Sequence, residues 1–290
     1  MPKTYKSIFI SDLHLGSKSC NADSIIDFLK NNTCDNLFLV GDIIDGWRLS
    51  RKFYWPQNHT NVIRRILTAS KRDTRVIYII GNHDEVIRDV LPFTKSFGNI
   101  ELANYYRYSA VDGRTYLVVH GDMFDNVLRT KLKWLYHLGD FFYDVLIVLN
   151  RYLAHLRRWL RRPYWSLSAY LKNKTKEAVS YLNKFEELIV EYCEKKKAHG
   201  IICGHTHSAK IKEIDGIWYF NDGDFVESVS ALVETHTGDW ILIHLEGNEW
   251  RPFQVLDRQT DQILTGELCI PWFERKGFSV LRYQDLDSQR

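Results

Sequence analysis

Ser7-Ile-Phe-Ile-Ser-Asp-Leu-His-Leu-Gly16 opens with a short strand-like run and ends on an acid and a histidine two residues apart. The same plan recurs along the chain. Asn36 to Val40 runs into Gly41-Asp42, and Arg75 to Ile80 into Gly81-Asn82. Thr115 to Val119 precedes His120-Gly121-Asp122, and Gly200 to Cys203 precedes Gly204-His205. Continuous apolar runs of this length bounded by turn residues read as strands buried on both faces. Between the first two, Asn21 to Lys30 places Ile25, Ile26 and Leu29 at helical spacing; between the next two, His59 to Ser70 does so with Val62, Ile63, Ile66 and Leu67. The alternation predicts βαβαβ and an α/β fold. Five strand ends deliver polar residues, and in such sheets ligands gather at that edge.

Composition sets the bounds. A chain of 290 residues that is 45% apolar, with nine Trp, sixteen Tyr and fifteen Phe, is globular and excludes disordered or collagen-like classes. It is long enough for one large domain carrying an insert. The five cysteines, Cys20, Cys34, Cys193, Cys203 and Cys269, form no CxxC pair, which excludes a thiolate zinc site or disulfide framework and fits a reducing, cytoplasmic compartment. No signal-peptide pattern opens the sequence, and its most apolar window, Phe141 to Leu149, contains Asp144. That window falls short of the ~20 residues that span a bilayer. The net charge is +3, yet the stretch from Asn126 to Lys176 holds eleven Lys/Arg against Asp140 and Asp144, a local +9 that leaves −6 elsewhere.

This basic, aromatic stretch reads as a helical cap inserted at residues 124–175 into a core formed by residues 1–123 and 176–249. Residues 250–290 form an extension without a clear period. In the cap, Tyr152, Leu153, Leu156, Trp159 and Leu160 share a helical face, with Arg151, Arg157, Arg158, Arg161 and Arg162 around it until Pro163. A helix over 176–197 puts Ala178, Leu182, Phe185, Ile189 and Tyr192 on one side. Beyond Gly200, Ile217 to Phe220, Ala231 to Thr235 and Trp240 to Leu245, separated by Asp-Gly and Thr-Gly-Asp turns, predict antiparallel strands.

The residues that carry chemistry are Asp12-x-His14, Gly41-Asp42-x-x-Asp45, Gly81-Asn82-His83-Asp84, His120-Gly121-Asp122 and Gly204-His205-Thr206-His207. A pair of divalent ions needs a carboxylate that contacts both, with imidazole, amide and carboxylate ligands arriving from several sides. On an extended strand tip, Asp12 and His14 point the same way, as do His205 and His207, so each pair chelates. Any one of these elements alone is more commonly a surface turn; five in order at strand ends are not. Nitrogen and oxygen donors without thiolates favour manganese, iron or zinc over a calcium or magnesium cage. The remaining histidines, His59 and His199 among them, read as packing or surface residues. Asp45 and Asp122 either hold ligands in place or cap the helices that follow.

Over residues 6–245 these five blocks resemble the calcineurin-like metallophosphoesterase family in order and residue type. The resemblance implies a sandwich of two mixed β-sheets flanked by helices, with a dimetal site at the strand C-terminal ends. It implies that Asp12, His14, Asp42 and His207 hold one ion and Asp42, Asn82, His120 and His205 the other, with Asp42 bridging. In such sites the ions, roughly 3.5–4 Å apart, activate water and polarise the phosphoryl oxygens. His83 takes the part of the family's histidine that donates to the leaving oxygen, with Asp84 orienting it.

Within the family, Asp12-Leu-His-Leu-Gly16, Val40-Gly-Asp-Ile-Ile-Asp-Gly-Trp47 and the basic insert are similar to the UDP-2,3-diacylglucosamine pyrophosphatase branch of lipid A synthesis. Its members release UMP and an acylated sugar 1-phosphate. His83 is a departure, since typical members of the branch carry an arginine there. Phe141, Phe142, Tyr143, Val145, Leu146, Leu149, Tyr152 and Trp159 would wall the acyl chains, and Lys172, Lys174, Lys176 and the arginine cluster would meet the diphosphate, Lys176 being the substrate contact singled out. The cap would also rest on an anionic surface at the inner membrane as a peripheral attachment. The alternative is a phosphodiesterase or nuclease whose +9 cap binds nucleic-acid phosphates. A scaffold that has lost its metals is disfavoured by the complete ligand set. The sequence sets no oligomeric state.

Overall fold

The computed structural model describes residues 3–125 and 184–282. Two compact units divide the chain, Met1–Asp122 with Tyr192–Arg290, and Met123–Glu191. In chain order the larger unit runs β1 (Lys3–Ile10), α1 (Ala22–Asn31), β2 (Asn32–Val40), α2 (Gly46–Arg51), α3 (Gln57–Lys71), β3 (Arg75–Ile79), β4 (Ser96–Phe97), β5 (Ile100–Ala103), β6 (Tyr106–Ser109) and β7 (Thr115–Val118). After a helix at 184–195, α4, come β8 (Gly200–Cys203), β9 (Lys210–Ile214), β10 (Ile217–Asn221), β11 (Ser230–Glu234), β12 (Trp240–Glu246), β13 (Glu249–Asp257), β14 (Gln262–Thr265), α5 (Cys269–Arg275) and β15 (Leu281–Arg282).

The described strands form two mixed sheets, as the resemblance implies. The larger has the order β14-β13-β12-β11-β1-β2-β3-β5-β4 with β15 beside β13; the smaller is β6-β7-β8-β10-β9. β1, β2, β3 and β5 run parallel, so their C-terminal tips share one edge, and β7, β8 and β10 are parallel likewise. Alternating side chains explain the layering. Ile8, Ile10, Leu37, Leu39, Val76 and Tyr78 meet Ile25 and Phe28 of α1 and Val62 and Ile66 of α3. Their neighbours Phe9, Phe38, Val40, Ile77 and Ile79 point the other way, against Tyr116, Val118, Ile202 and Phe220 of the smaller sheet. Apolar runs without alternation were therefore the correct signal of strands covered on both faces.

One expectation is corrected. The run Ile217–Phe220 is not purely antiparallel, because β10 pairs parallel with β8 and antiparallel only with β9; tight-turn signals report the nearest neighbour and miss the crossover. The extension beyond residue 249 carries β13 to β15 and α5, and adds strands to the larger sheet. It buries Trp250, Trp272 and Phe273 in the helix-side core, and Trp250 Nε1 donates to Asp27 at 2.8 Å. Of the insert expected at 124–175, nearly all lies outside the described residues, as do Lys172, Lys174, Lys176 and the arginine cluster. In α4 the buried positions Phe185, Ile189 and Cys193 follow helical spacing, Cys193 taking the place expected of Tyr192. All five cysteines are free thiols.

A polar knot ties the sheets. Tyr108 of β6 shares a hydrogen bond with Ser7 of β1 at 2.7 Å and donates to Glu234 of β11, which also accepts from the Val111 amide at 2.8 Å. Burial pushes the Glu234 carboxyl from 4.5 up to about 7. The unfolded chain thus releases this proton near pH 4.5 while the folded chain keeps it to about 7. The resulting stabilisation is complete below the lower value and lost as pH rises through the higher, roughly 3 kcal/mol in all. Urea titrations at pH 5 and pH 8 should show the wild type losing more stability between them than Glu234→Gln, by about that amount; equal losses would place the Glu234 proton elsewhere.

Candidate metal centre

The loops after β1 and β2 continue side by side beyond the strand ends. Asp12 N donates to Gly41 O at 3.0 Å, His14 N to Asp42 O at 3.0 Å, Leu15 N to Ile43 O at 2.9 Å, and Asp45 N to Leu15 O at 2.8 Å. This zipper sets the first two blocks face to face. The third joins through Gly46 N to His83 O at 2.9 Å. The last two are joined by Gly204 N to His120 O at 3.2 Å.

The backbone here differs from an extended tip. Asp12, His14, Asp42, His205 and His207 all have positive φ, between 49° and 65°. That conformation costs a non-glycine residue of order 1–3 kcal/mol and concentrates at functional sites. Left-handed turns, and not the two-residue strand period, aim each Asp/His or His/His pair inward. Glycines make room for the packing. Gly41 has φ 84°, and a Cβ there would lie 2.4 Å from the His120 ring; a Cβ on Gly81 would lie 2.2 Å from Asp42 Oδ1.

Three clusters result, each with its ligand atoms within 4.8 Å of one another: Asp12, His14 and His207; His14, Asp42 and His83; Asp42, His120 and His205. Asp12 Oδ1 lies 3.1 Å from His207 Nε2 and 3.7 Å from His14 Nε2, while its Oδ2 accepts from the His205 amide at 2.9 Å. Asp42 Oδ2 is 3.3 Å from His120 Nε2 and 3.9 Å from His83 Nε2, and Oδ1 accepts from the His83 amide at 2.8 Å. Asp42 belongs to both the second and the third cluster. His120 Nδ1 bonds to Val40 O at 2.9 Å, which turns Nε2 into the site, and both that nitrogen and Asn82 Oδ1 are buried without a hydrogen-bond partner. Two orphaned donor atoms, carboxylates and further imidazoles make a nitrogen–oxygen set that fits two divalent cations.

The electrostatics agree. Burial alone would raise the Asp12 carboxyl, but hydrogen bonds from His14 and His207 outweigh it and hold it well below the usual range. Asp42 is held down against the same penalty, chiefly by the charge of His120. Burial opposes the charged form of His120, yet the Asp42 carboxylate raises it to about 10. A field that draws protons onto imidazoles favours cations in general.

Asp84 does not orient His83. Its carboxylate accepts from Gly81 N at 2.6 Å, Ile43 N at 3.0 Å and the Tyr78 hydroxyl, so it clamps the turns after β2 and β3 together. The partner of His83 is Asp45, whose Oδ1 lies 3.0 Å from His83 Nδ1. Asp45 has a second contact beside its cap. It caps α2 by accepting from Arg48 N at 3.0 Å, and its Oδ2 is 3.4 Å from His14 Nδ1. Asp122 pairs with Arg88 at 2.8 Å. His59 and His199 each accept a backbone N–H, from Gly16 at 3.0 Å and Thr115 at 3.1 Å.

Other supports left no signal in the sequence. Buried Asp222 accepts from Ser11 Oγ at 2.7 Å, and Asn221 Nδ2 donates to Gly204 O at 2.7 Å, fixing the turn that carries His205 and His207. Both sit at the end of β10, whose parallel placement beside β8 sets Asn221 against the turn after β8, while Asp222 reaches Ser11 after β1. Lys176 lies outside the described residues.

A DNA polymerase II small subunit from Methanothermobacter thermautotrophicus is 23% identical over 250 residues, covering 75% of this chain and 46% of its own length, so the chain spans about half of that relative. Among solved structures, vacuolar protein sorting 29 from Cryptosporidium parvum matches at 13% identity and TM-score 0.38 over 90% of this chain and 94% of its own. The E. coli phosphoesterase YfcE matches at 13% identity and TM-score 0.36 over 89% and 96%. A phosphodiesterase described as archaeal matches at 12% identity and TM-score 0.38 over 82% and 99%. Residues 5–209 match the calcineurin-like phosphoesterase family and contain all five blocks. The chain belongs to the calcineurin-like phosphoesterase family.

Proposed function

We propose that this protein is a metal-dependent pyrophosphatase that cleaves UDP-2,3-diacylglucosamine, or a closely related nucleotide-linked lipid, to UMP and an acylated sugar 1-phosphate. The observation that carries the hydrolytic part is Asp42, a buried carboxylate that clusters with His14 and His83 on one side and with His120 and His205 on the other. Asp12, His14, Asp42 and His207 would hold one divalent cation and Asp42, Asn82, His120 and His205 the other, with manganese the favoured metal and iron or zinc the alternatives. Bound there, the ions supply Lewis acidity to phosphoryl oxygens and acidify water at neutral pH. The chain supplies the rest. Asp45 fixes the His83 ring through Nδ1 and leaves Nε2 to give a proton to the departing phosphate oxygen. The His83 backbone N–H donates to Asp42 Oδ1 and holds the residue at the same site.

The lipid part is supported by sequence alone: Phe141, Phe142, Tyr143, Val145, Leu146, Leu149, Tyr152 and Trp159 of the insert would line acyl chains, and Lys172, Lys174, the arginines and Lys176, just after the insert, would meet the diphosphate. Among the described residues no helix is long and apolar enough to cross a membrane; contact with an anionic surface would run through this basic insert. A nucleic-acid phosphodiesterase is the second reading, favoured by the same +9 stretch.

Purified protein should release UMP from UDP-2,3-diacylglucosamine with added manganese, release none with chelator, and leave UDP-sugars without acyl chains uncut. Hydrolysis of a generic phosphodiester with no action on the acylated substrate would discard the lipid reading. Binding to DNA that weakens steeply with salt would then favour the second.

A further inference from the structure

Trp47 is 45% exposed, yet its ring is held in place. Its ring lies on His83, with centroids 4.4 Å apart and planes at 35°, and its Nε1 donates to Glu85 Oε1 at 3.2 Å. It sits at the start of α2, whose first turn is capped by Asp45, the carboxylate that also holds His83. A half-open indole fixed beside the imidazole of a phosphoester site is an aromatic wall lacking its other partner. Planar groups stack on such walls, and uracil, a few bonds from the scissile phosphorus, is the planar group of the substrate proposed above.

We propose that Trp47 is a specificity-determining residue that stacks the nucleobase of the substrate. This rests on the nucleotide-linked reading of the site. His83 backs the indole, Glu85 sets its rotation, and the exposed ring surface receives the base, so the nucleotide enters with its phosphate already beside His83.

Calorimetric titration of the manganese-loaded full chain with UMP and with ribose 5-phosphate, which lacks only the base, tests the assignment. Trp47→Ala should weaken UMP binding about 10-fold, the effect of losing one stacked base, and change ribose 5-phosphate less than 2-fold; Trp47→Phe should restore most of the UMP affinity. Equal weakening of both ligands, no change in either, or a wild type that binds UMP no better than ribose 5-phosphate would overturn it. Failure of the pyrophosphatase reading would look different, with base-dependent, Trp47-dependent UMP binding intact and no UMP released from the acylated substrate.

Discussion

Asp42→Asn should lower hydrolysis of bis-p-nitrophenyl phosphate by about 10³-fold or more, with metal content falling in parallel. The substitution keeps size and shape, and an Asn oxygen still accepts the His83 amide bond that Asp42 Oδ1 now takes at 2.8 Å, so the loop survives. What is lost is the charge shared by the two ligand clusters. Several kcal/mol of transition-state stabilisation attributable to bound metals corresponds, at about 1.4 kcal/mol per decade, to a loss of that order. Metal analysis and turnover on the same sample decide it. Full metal content with unchanged turnover would remove Asp42 from the centre of the site.

His83→Ala should reduce kcat by roughly 10²–10⁴-fold, the usual contribution of a positioned proton donor, while metal content stays at the wild-type level. The geometry makes this a sharp test, because His83 Nε2 lies 3.9 Å from Asp42 Oδ2 and the residue completes a ligand-like cluster with His14 and Asp42. Loss of metal in the variant would make His83 a ligand and take the proton-donating role from it. Asp45→Asn is the companion measurement. It leaves the imidazole in place but disturbs its 3.0 Å anchor, and the loss should be smaller, about 10–100-fold. Because Asp45 also approaches His14 at 3.4 Å, a modest fall in metal affinity accompanies it.

Without reaching β4 to β6, β9 or the elements after residue 249, the sequence alone determined the alternation of β1, α1, β2, α3 and β3, the strands β7, β8, β10, β11 and β12, the two-faced burial of β1, β2 and β3, and the candidate ligands. Each is a local property: apolar runs report burial, and Asp, His and Asn after a strand report what its tip presents. The family match over residues 5–209 rests on the same blocks. What only the tertiary structure decided is how those residues meet. The left-handed turns at Asp12, His14, Asp42, His205 and His207 arise from loops zipped to one another across the sheet edge, which no window of sequence encodes. Asp84 and Asp45 are both acids near His83, and spacing favours Asp84; the fold turns Asp84 toward Tyr78 and the backbone and brings Asp45 to the ring from 38 residues away. Asn221 reaches the turn after β8 because β10 lies parallel beside β8, and Asp222 meets Ser11 from 211 residues away. The chain's composition writes the donors, and long-range packing assigns their partners, because a hydrogen bond between loops depends on register and crossover, not on the identity of neighbours in sequence.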